Sequence, residues 1–147
     1  MNTIRTNELT PRAGYQSDAK RCAQIVHSWI EKTEWMPDLY TLTELQKMIE
    51  ASIPFRKFWV IGTPIQGYVS FNEENSQVVA LYVDEPGNGR GVALLEKVKE
   101  EQEYLQLWSH SPNVRAHRFY LREGFTRSGL RRDGEDGIKE VQFTWSR

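Results

Sequence analysis

Three glycines at every second position, Gly87, Gly89 and Gly91, lie in the run Pro86-Gly87-Asn88-Gly89-Arg90-Gly91. Such spacing lets the backbone take positive φ and removes the Cβ atoms that would hold a ligand away. Before the run, Val78 to Val83 is apolar and β-branched, as in a strand buried on both faces. After it, Val92, Leu94, Leu95 and Val98 follow helical spacing. The glycine loop therefore opens into a helix N-terminus, where unpaired N–H groups and the positive dipole end favour a phosphate or pyrophosphate. It is neither of two familiar phosphate loops. The pattern G-x-x-x-x-G-K-S/T is absent, and Val92 stands where a dinucleotide fingerprint needs its third glycine.

The elements that must position this loop follow from the rest of the chain. With 147 residues, the chain is long enough for one domain with its own core. Hydrophobic content of 39% and charged content of 27% are those of an ordinary soluble globular protein. The balance of 19 basic against 20 acidic residues offers no global attraction for nucleic acid. No apolar run approaches a membrane span and no signal-peptide pattern begins the chain, so the cytoplasm is expected. Cys22, the single cysteine, cannot form an internal disulfide and lies on the apolar face of a predicted helix, which reads as a buried structural thiol. Five tryptophans and six tyrosines suggest either an aromatic-lined cleft or a bulky core.

A short strand is predicted near Thr3 to Thr6, with Asn7 to Tyr15 as a loop or its weak continuation. Ser17 and Asp18 offer a cap for a first helix ending near Lys32, with Cys22, Val26, Trp29 and Ile30 on one face beside Ala19 and Ala23. An aromatic connector, Thr33 to Tyr40, follows. Thr41 and Glu44 form a capping box for a second helix carrying Leu45, Met48 and Ile49. Phe55 to Ile61, Gly67 to Phe71 and the strand from Val78 read as an antiparallel meander. Tyr104 to Ser109 is a further strand, parallel to the central one because a helix crosses over between them. Pro112 lies near the start of another helix, which Gly124 ends. Phe125 to Arg131 and Ile138 to Trp145 close the chain as a hairpin.

That last helix carries a second pattern, Asn113-x-x-Ala116-x-x-Phe119-Tyr120-x-x-x-Gly124-Phe125. Together with Gly89-Arg90-Gly91-Val92-Ala93-Leu94-Leu95, it resembles the acetyl-CoA signature of the GNAT superfamily of N-acetyltransferases. The family carries Q/R-x-x-G-x-G/A-x-x-L-L after its fourth strand and N-x-x-A-x-x-F-Y-x-x-x-G-F at its next helix. The motifs span residues 78–126. One departure is plain: Pro86 stands where the family has Gln or Arg, which leaves the grip on pyrophosphate to backbone N–H groups.

The resemblance implies an α/β (α+β) fold, with a mixed, mostly antiparallel central sheet flanked by helices and a parallel, splayed strand pair at the acyl-CoA site. The whole chain, 1–147, would be a single GNAT domain. It implies acetyl-CoA as acyl-donor cosubstrate and no metal. By the same resemblance Gly87, Asn88, Gly89, Arg90, Gly91 and Val92 hold the pyrophosphate. The backbone of Leu81 and Val83 pairs with the pantetheine arm as an added strand would. Arg90 either contacts a phosphate or points to solvent. Asn113 matches the family asparagine at the pantetheine, and helix capping is its other reading. Tyr120 matches the family tyrosine near the CoA sulfur, the candidate general acid; Phe119 beside it reads as core.

Acyl transfer to an amine must also move protons off the nucleophile. Glu34 and Asp38 lie in the connector that flanks the acceptor in this fold, and Glu34 is the first candidate for a contact to the amine. Trp35 and Met36 are either substrate contacts or plugs between helices. Glu73, Glu74, Tyr82 and His110 are further candidates for the base; Glu73 and Glu74 read best as solvated. His117 is expected to face solvent. The expected activity is direct transfer of an acetyl group to a primary amine in a ternary complex, without a covalent acyl-enzyme. The acceptor would be a small molecule or a peptide. A homodimer paired through the closing strands is compatible with the sequence. Two other readings are a non-catalytic acyl-CoA-binding regulatory module and an acetyltransferase of charged tRNA. For the last, only Arg127, Arg131 and Arg132 suggest a basic patch.

Overall fold

The computed structural model describes residues 9–147. The strand predicted near Thr3 to Thr6 lies outside the described residues. The elements run β1 (Arg12–Ala13), a 3-10 turn (Gln16–Asp18), α1 (Ala19–Lys32), α2 (Leu42–Ser52), a second 3-10 turn (Ile53–Phe55), β2 (Lys57–Ile61), β3 (Gly67–Asn72), β4 (Gln77–Val83), α3 (Arg90–Lys99), β5 (Tyr104–His110), α4 (Val114–Arg122), β6 (Thr126–Asp133) and β7 (Lys139–Ser146). The strands form one sheet in the order β1-β2-β3-β4-β5-β7-β6. Every neighbouring pair is antiparallel except β4 and β5, which are parallel. This is the mixed, mostly antiparallel GNAT sheet that the motifs imply.

Two apolar cores lie on opposite faces. α1 and α2 bury Cys22, Ile25, Val26, Ile30 and Leu45 against Phe58, Val60 and Tyr68 of the sheet. α3 and α4 cover the other face, where Leu94, Leu95 and Val98 meet Val69, Phe71, Leu107, Phe125 and Phe143. Full burial of each of these phenylalanines contributes on the order of 2–3 kcal/mol. Strand alternation sends neighbouring side chains to the two cores in turn.

Several helix ends follow sequence chemistry. The amide of Glu44 donates to Thr41 Oγ1 at 3.1 Å and the amide of Thr41 donates to Glu44 Oε1 at 2.9 Å, completing the capping box. Gly124, at φ 94°, ends α4, and the amide of Phe125 reaches back to the carbonyl of Tyr120 at 2.9 Å. α1 starts differently from expectation. Asp18 does not cap it by its side chain; its carboxylate instead accepts from the Tyr15 amide and the Arg12 guanidinium.

Some predicted core positions are exposed. Met48 and Phe55 lie on the surface, because the second helix buries only Leu45 deeply and the chain makes a 3-10 turn before β2 begins at Lys57. Among the described residues, no helix is long and apolar enough to cross a membrane.

Candidate active site

β4 and β5 share a single register pair, Gln77 with Gln106, beside the hydrogen bond from the Gln106 amide to the Ser76 carbonyl at 2.9 Å. Beyond that point no pairing joins them, and the sheet opens into a cleft between Leu81–Val83 and the end of β5. This explains why the apolar run from Val78 is not buried on both faces. Only Val78 is buried; Ala80 to Val83 are half-buried because they border the opening.

An irregularity in β4 aims its side chains. The register with β3 passes from Val78–Phe71 to Ala80–Ser70, so Val79 is an extra residue, and it is exposed. Such a bulge reverses the alternation beyond it. Val78, Leu81 and Val83 consequently face the α3–α4 core, whereas Ala80 and Tyr82 face the α1–α2 side.

At the open end of the cleft the chain turns through the glycine loop. Gly89 caps α3 with φ 79°, a left-handed conformation that suits glycine. The amides of Arg90, Gly91 and Val92 have no acceptor among the described residues, and no described side chain caps the helix. They are available to an anion. Gly91 faces the Phe119 ring of α4: a Cβ there would sit 3.4 Å from it, in ordinary van der Waals contact. Val92 is exposed at 36% rather than part of the core stripe, since the first turn of α3 stands at the cleft mouth. Arg21 of α1 fixes the loop's entry, donating to the Ile65 carbonyl at 2.7 Å and to Asp84 at 3.0 Å.

α4 enters on the same side. The Asn113 side chain accepts from the Ala116 amide at 3.1 Å, the capping role, and its side-chain nitrogen has no partner among the described residues. His117 is buried, contrary to expectation. Its Nε2–H donates to the carbonyl of His110 at 3.0 Å and its ring rests on Phe143, which pins α4 to the end of β5. Burial lowers its pKa and keeps it neutral. Three residues on, one helical turn, Tyr120 packs among Phe119, Phe125 and Phe143. Burial raises its hydroxyl pKa, Tyr82 adds to the rise, and no described residue hydrogen-bonds the hydroxyl.

On the α1 side the opening is walled by aromatic rings. Trp29 touches Trp35, Tyr82 and His110 at centroid distances of 5.6, 5.5 and 6.0 Å, and Trp35 reaches His110 at 5.3 Å. Burial first, then Asp136 and Glu140, push the Tyr82 hydroxyl up to about 12. His110 Nε2 lies 2.8 Å from Asp136 Oδ2 in the β6–β7 turn.

The sequence candidates are thus unequally placed. Tyr82 and His110 both touch Trp29, and Tyr82 lies near enough to Tyr120 to raise its hydroxyl pKa. Glu34 is exposed beside Trp35, and Asp38 is exposed further along the connector. Glu73 and Glu74 lie at the β3–β4 turn, the paired end of β4, where Glu73 faces Lys57 at 3.3 Å. Cys22 is fully buried in the α1 core, with its thiol pushed up to about 12 by burial. Within the basic run, Arg127 lies over Phe143 and Arg132 donates to Glu140 at 2.6 Å. Asp136 was not among the sequence candidates. It reads as one more turn former in Asp133-Gly134-Glu135-Asp136-Gly137, and only strand register shows that it faces His110.

A family profile described as an acetyltransferase (GNAT) domain matches residues 21–147. Three solved structures share the fold at low identity. YjaB of Escherichia coli, in its apo form, superposes with a TM-score of 0.75 at 20% identity, covering 92% of this chain and 96% of its own. The ribosomal-protein-alanine N-acetyltransferase of Brucella melitensis gives 0.72 at 19%, covering 93% and 99%. YncA of Salmonella typhimurium, solved with its cofactor acetyl-CoA, gives 0.70 at 18%, covering 93% and 92%. No curated protein sequence matches the chain significantly.

Proposed function

The chain belongs to the GNAT family of acetyltransferases, and from that premise we propose that it moves an acetyl group from acetyl-CoA to the primary amine of a small molecule, by direct attack in a ternary complex. The observation that carries this reading is the cleft between β4 and β5, which share one register pair and then separate. One end of the cleft holds the free N-terminus of α3 and its inner wall holds Tyr120.

Each part has a task. The free amides of Arg90, Gly91 and Val92, with the turn at Gly87, Asn88 and Gly89, take the pyrophosphate, and the helix dipole adds to the attraction. The exposed edge of β4 at Leu81 and Val83 receives the pantetheine arm, and a β4 amide polarises the thioester carbonyl. The free side-chain nitrogen of Asn113 donates to the arm.

The amine nitrogen attacks the thioester carbon; the C–N bond forms and the C–S bond breaks. Tyr120 gives its hydrogen bond, and then its proton, to the departing sulfur. Burial that raises the phenol pKa raises that of the buried thiolate too, so the transfer remains near balance. Glu34, exposed beside Trp35, attracts a cationic amine toward the opening, where the amine gives one proton to solvent before its lone pair attacks. The contacts among Trp29, Trp35, Tyr82 and His110 narrow the acceptor side, which favours a small acceptor.

Titration calorimetry with acetyl-CoA, followed by free-thiol release over a panel of amines, tests the reading. Micromolar binding and amine-dependent thiol release are expected. Binding without release for any amine would reject a transferase.

A further inference from the structure

Direct transfer leaves one proton to be removed from the attacking nitrogen, and the cleft offers few groups to take it. Tyr82 and Tyr120 hold raised hydroxyl pKa values and remain protonated at neutral pH. Glu140 lies opposite His110 in the β5–β7 register, but its carboxylate is engaged by Arg132 Nε at 2.6 Å. Glu34 and Asp38 stand out in solvent. Cys22 is sealed in the α1 core.

His110 differs from all of these. It is the last residue of β5, the strand that borders the cleft, and its side chain is 18% exposed. Nε2 bonds to Asp136 Oδ2 at 2.8 Å. The other oxygen, Oδ1, accepts from the Ile138 amide at 2.9 Å, so both oxygens of the carboxylate are held. With Nε2–H committed to Asp136, the lone pair is on Nδ1, which makes no hydrogen bond to any described residue. Trp29 stacks on the ring with an interplanar angle of 28°, and Trp35 lies across it at 52°. The ring is fixed through its carbonyl as well, by His117 of α4. One nitrogen oriented by a carboxylate and the other left open is the arrangement a base requires.

We infer that His110, held by Asp136, accepts the proton given up by the acceptor amine, an assignment that rests on the transferase reading above. As the C–N bond forms, the nitrogen's proton passes to His110 Nδ1. The resulting imidazolium keeps its Nε2–H on the Asp136 carboxylate, which balances the new charge. The sulfur takes its proton from Tyr120, and solvent later carries the imidazolium proton back to the phenolate. His110 is then a catalytic residue and Asp136 a positioning residue. The charged groups beside the imidazole are Asp136 from the β6–β7 turn and, opposite His110 in register, Glu140 with Arg132; His117 of α4 meets only the His110 backbone carbonyl, and Tyr82 of β4 touches the far neighbour Trp29. Trp29 and Trp35 cover it without charge.

The test measures thiol release against pH with tyramine, spermidine, kanamycin and an alanine-terminated peptide as acceptors, continuing with the fastest. For His110→Gln, kcat/KM should fall by about 10²-fold or more. Its affinity for acetyl-CoA by calorimetry should stay within about threefold of wild type, since the glycine loop is untouched. The rise of rate with pH should disappear. Asp136→Asn should lower kcat by about tenfold and leave the KM for the amine unchanged; a purely structural role would not single out kcat. A His110→Gln enzyme with wild-type kcat/KM and an unchanged pH profile overturns the assignment alone. Should that variant not fold, a wild-type kcat in Asp136→Asn overturns it. A wild-type enzyme that binds acetyl-CoA but transfers to no amine overturns the transferase reading, and the assignment with it.

Discussion

Tyr120 and Tyr82 belong to opposite cores of the sheet, yet Tyr82 lies close enough to help raise the pKa of the Tyr120 hydroxyl. In a continuous sheet the strands would stand between them. Here β4 and β5 separate after one register pair, and the proposed reading puts the acyl donor on the α4 face and the acceptor on the α1 face.

Tyr120→Phe removes the hydroxyl and leaves the ring among Phe119, Phe125 and Phe143. Because no described residue hydrogen-bonds that hydroxyl, stability should change by less than about 1 kcal/mol. Turnover should fall by about 10²-fold, with acetyl-CoA affinity retained. Steady-state kinetics beside calorimetry checks this; full kcat on the best acceptor would remove Tyr120 as the acid.

Gly89→Val puts a β-branched side chain at φ 79°, costing on the order of 1–3 kcal/mol of strain. The left-handed turn presents the free amides of α3, so acetyl-CoA affinity should drop by at least about tenfold. Thermal unfolding and titration calorimetry read the two effects separately. Unchanged affinity would show that the cosubstrate does not use this turn.

Glu34→Gln should raise KM for a cationic amine by about two- to fivefold and leave kcat unaltered, as expected of an exposed charge acting by attraction. Added salt should shrink the difference. Wild-type KM at low ionic strength would remove Glu34 from the acceptor path.

Stability should fall in alkali. Cys22, fully buried, has its thiol pushed up to about 12 from an ordinary 9.0, and Tyr68, Tyr82 and Tyr120 are raised as well. The folded chain therefore holds protons that the unfolded chain releases. This stabilisation is complete below about pH 9 and is lost as pH rises from 9 toward 12. At pH 10 Cys22 alone accounts for about 1.4 kcal/mol. Urea unfolding at pH 8 and pH 10 should show Cys22→Ala losing less between the two than wild type; equal losses would refute the linkage.

Local chemistry made much of this legible. The spacing of Gly87, Gly89 and Gly91 gave the turn, and the run from Asn113 to Phe125 gave a capped helix with Tyr120 on its inner face. Thr41 and Glu44 lie within one helical turn, so their capping box depends on little else. The obscure features are all consequences of register. Nothing in the uniform apolar run from Val78 marks Val79 as the extra residue, yet that residue decides which face Tyr82 takes. His110 and Asp136 are 26 positions apart and meet only because β5 pairs with β7 from Tyr104–Ser146 to His110–Glu140. The burial of His117 is hidden for the same reason: its partner, the His110 carbonyl, belongs to another element.

The lone Gln77–Gln106 rung also has a mechanical meaning. The leaf β1–β4 and the leaf β5-β7-β6 are each laced internally, and between them the backbone offers almost no shear resistance. Native-state hydrogen exchange should report them as two foldons in the free protein, with β4 amides facing the gap exchanging early. A bound pantetheine arm would act as a splint, supplying rungs that the chain omits and merging the leaves into one cooperative unit.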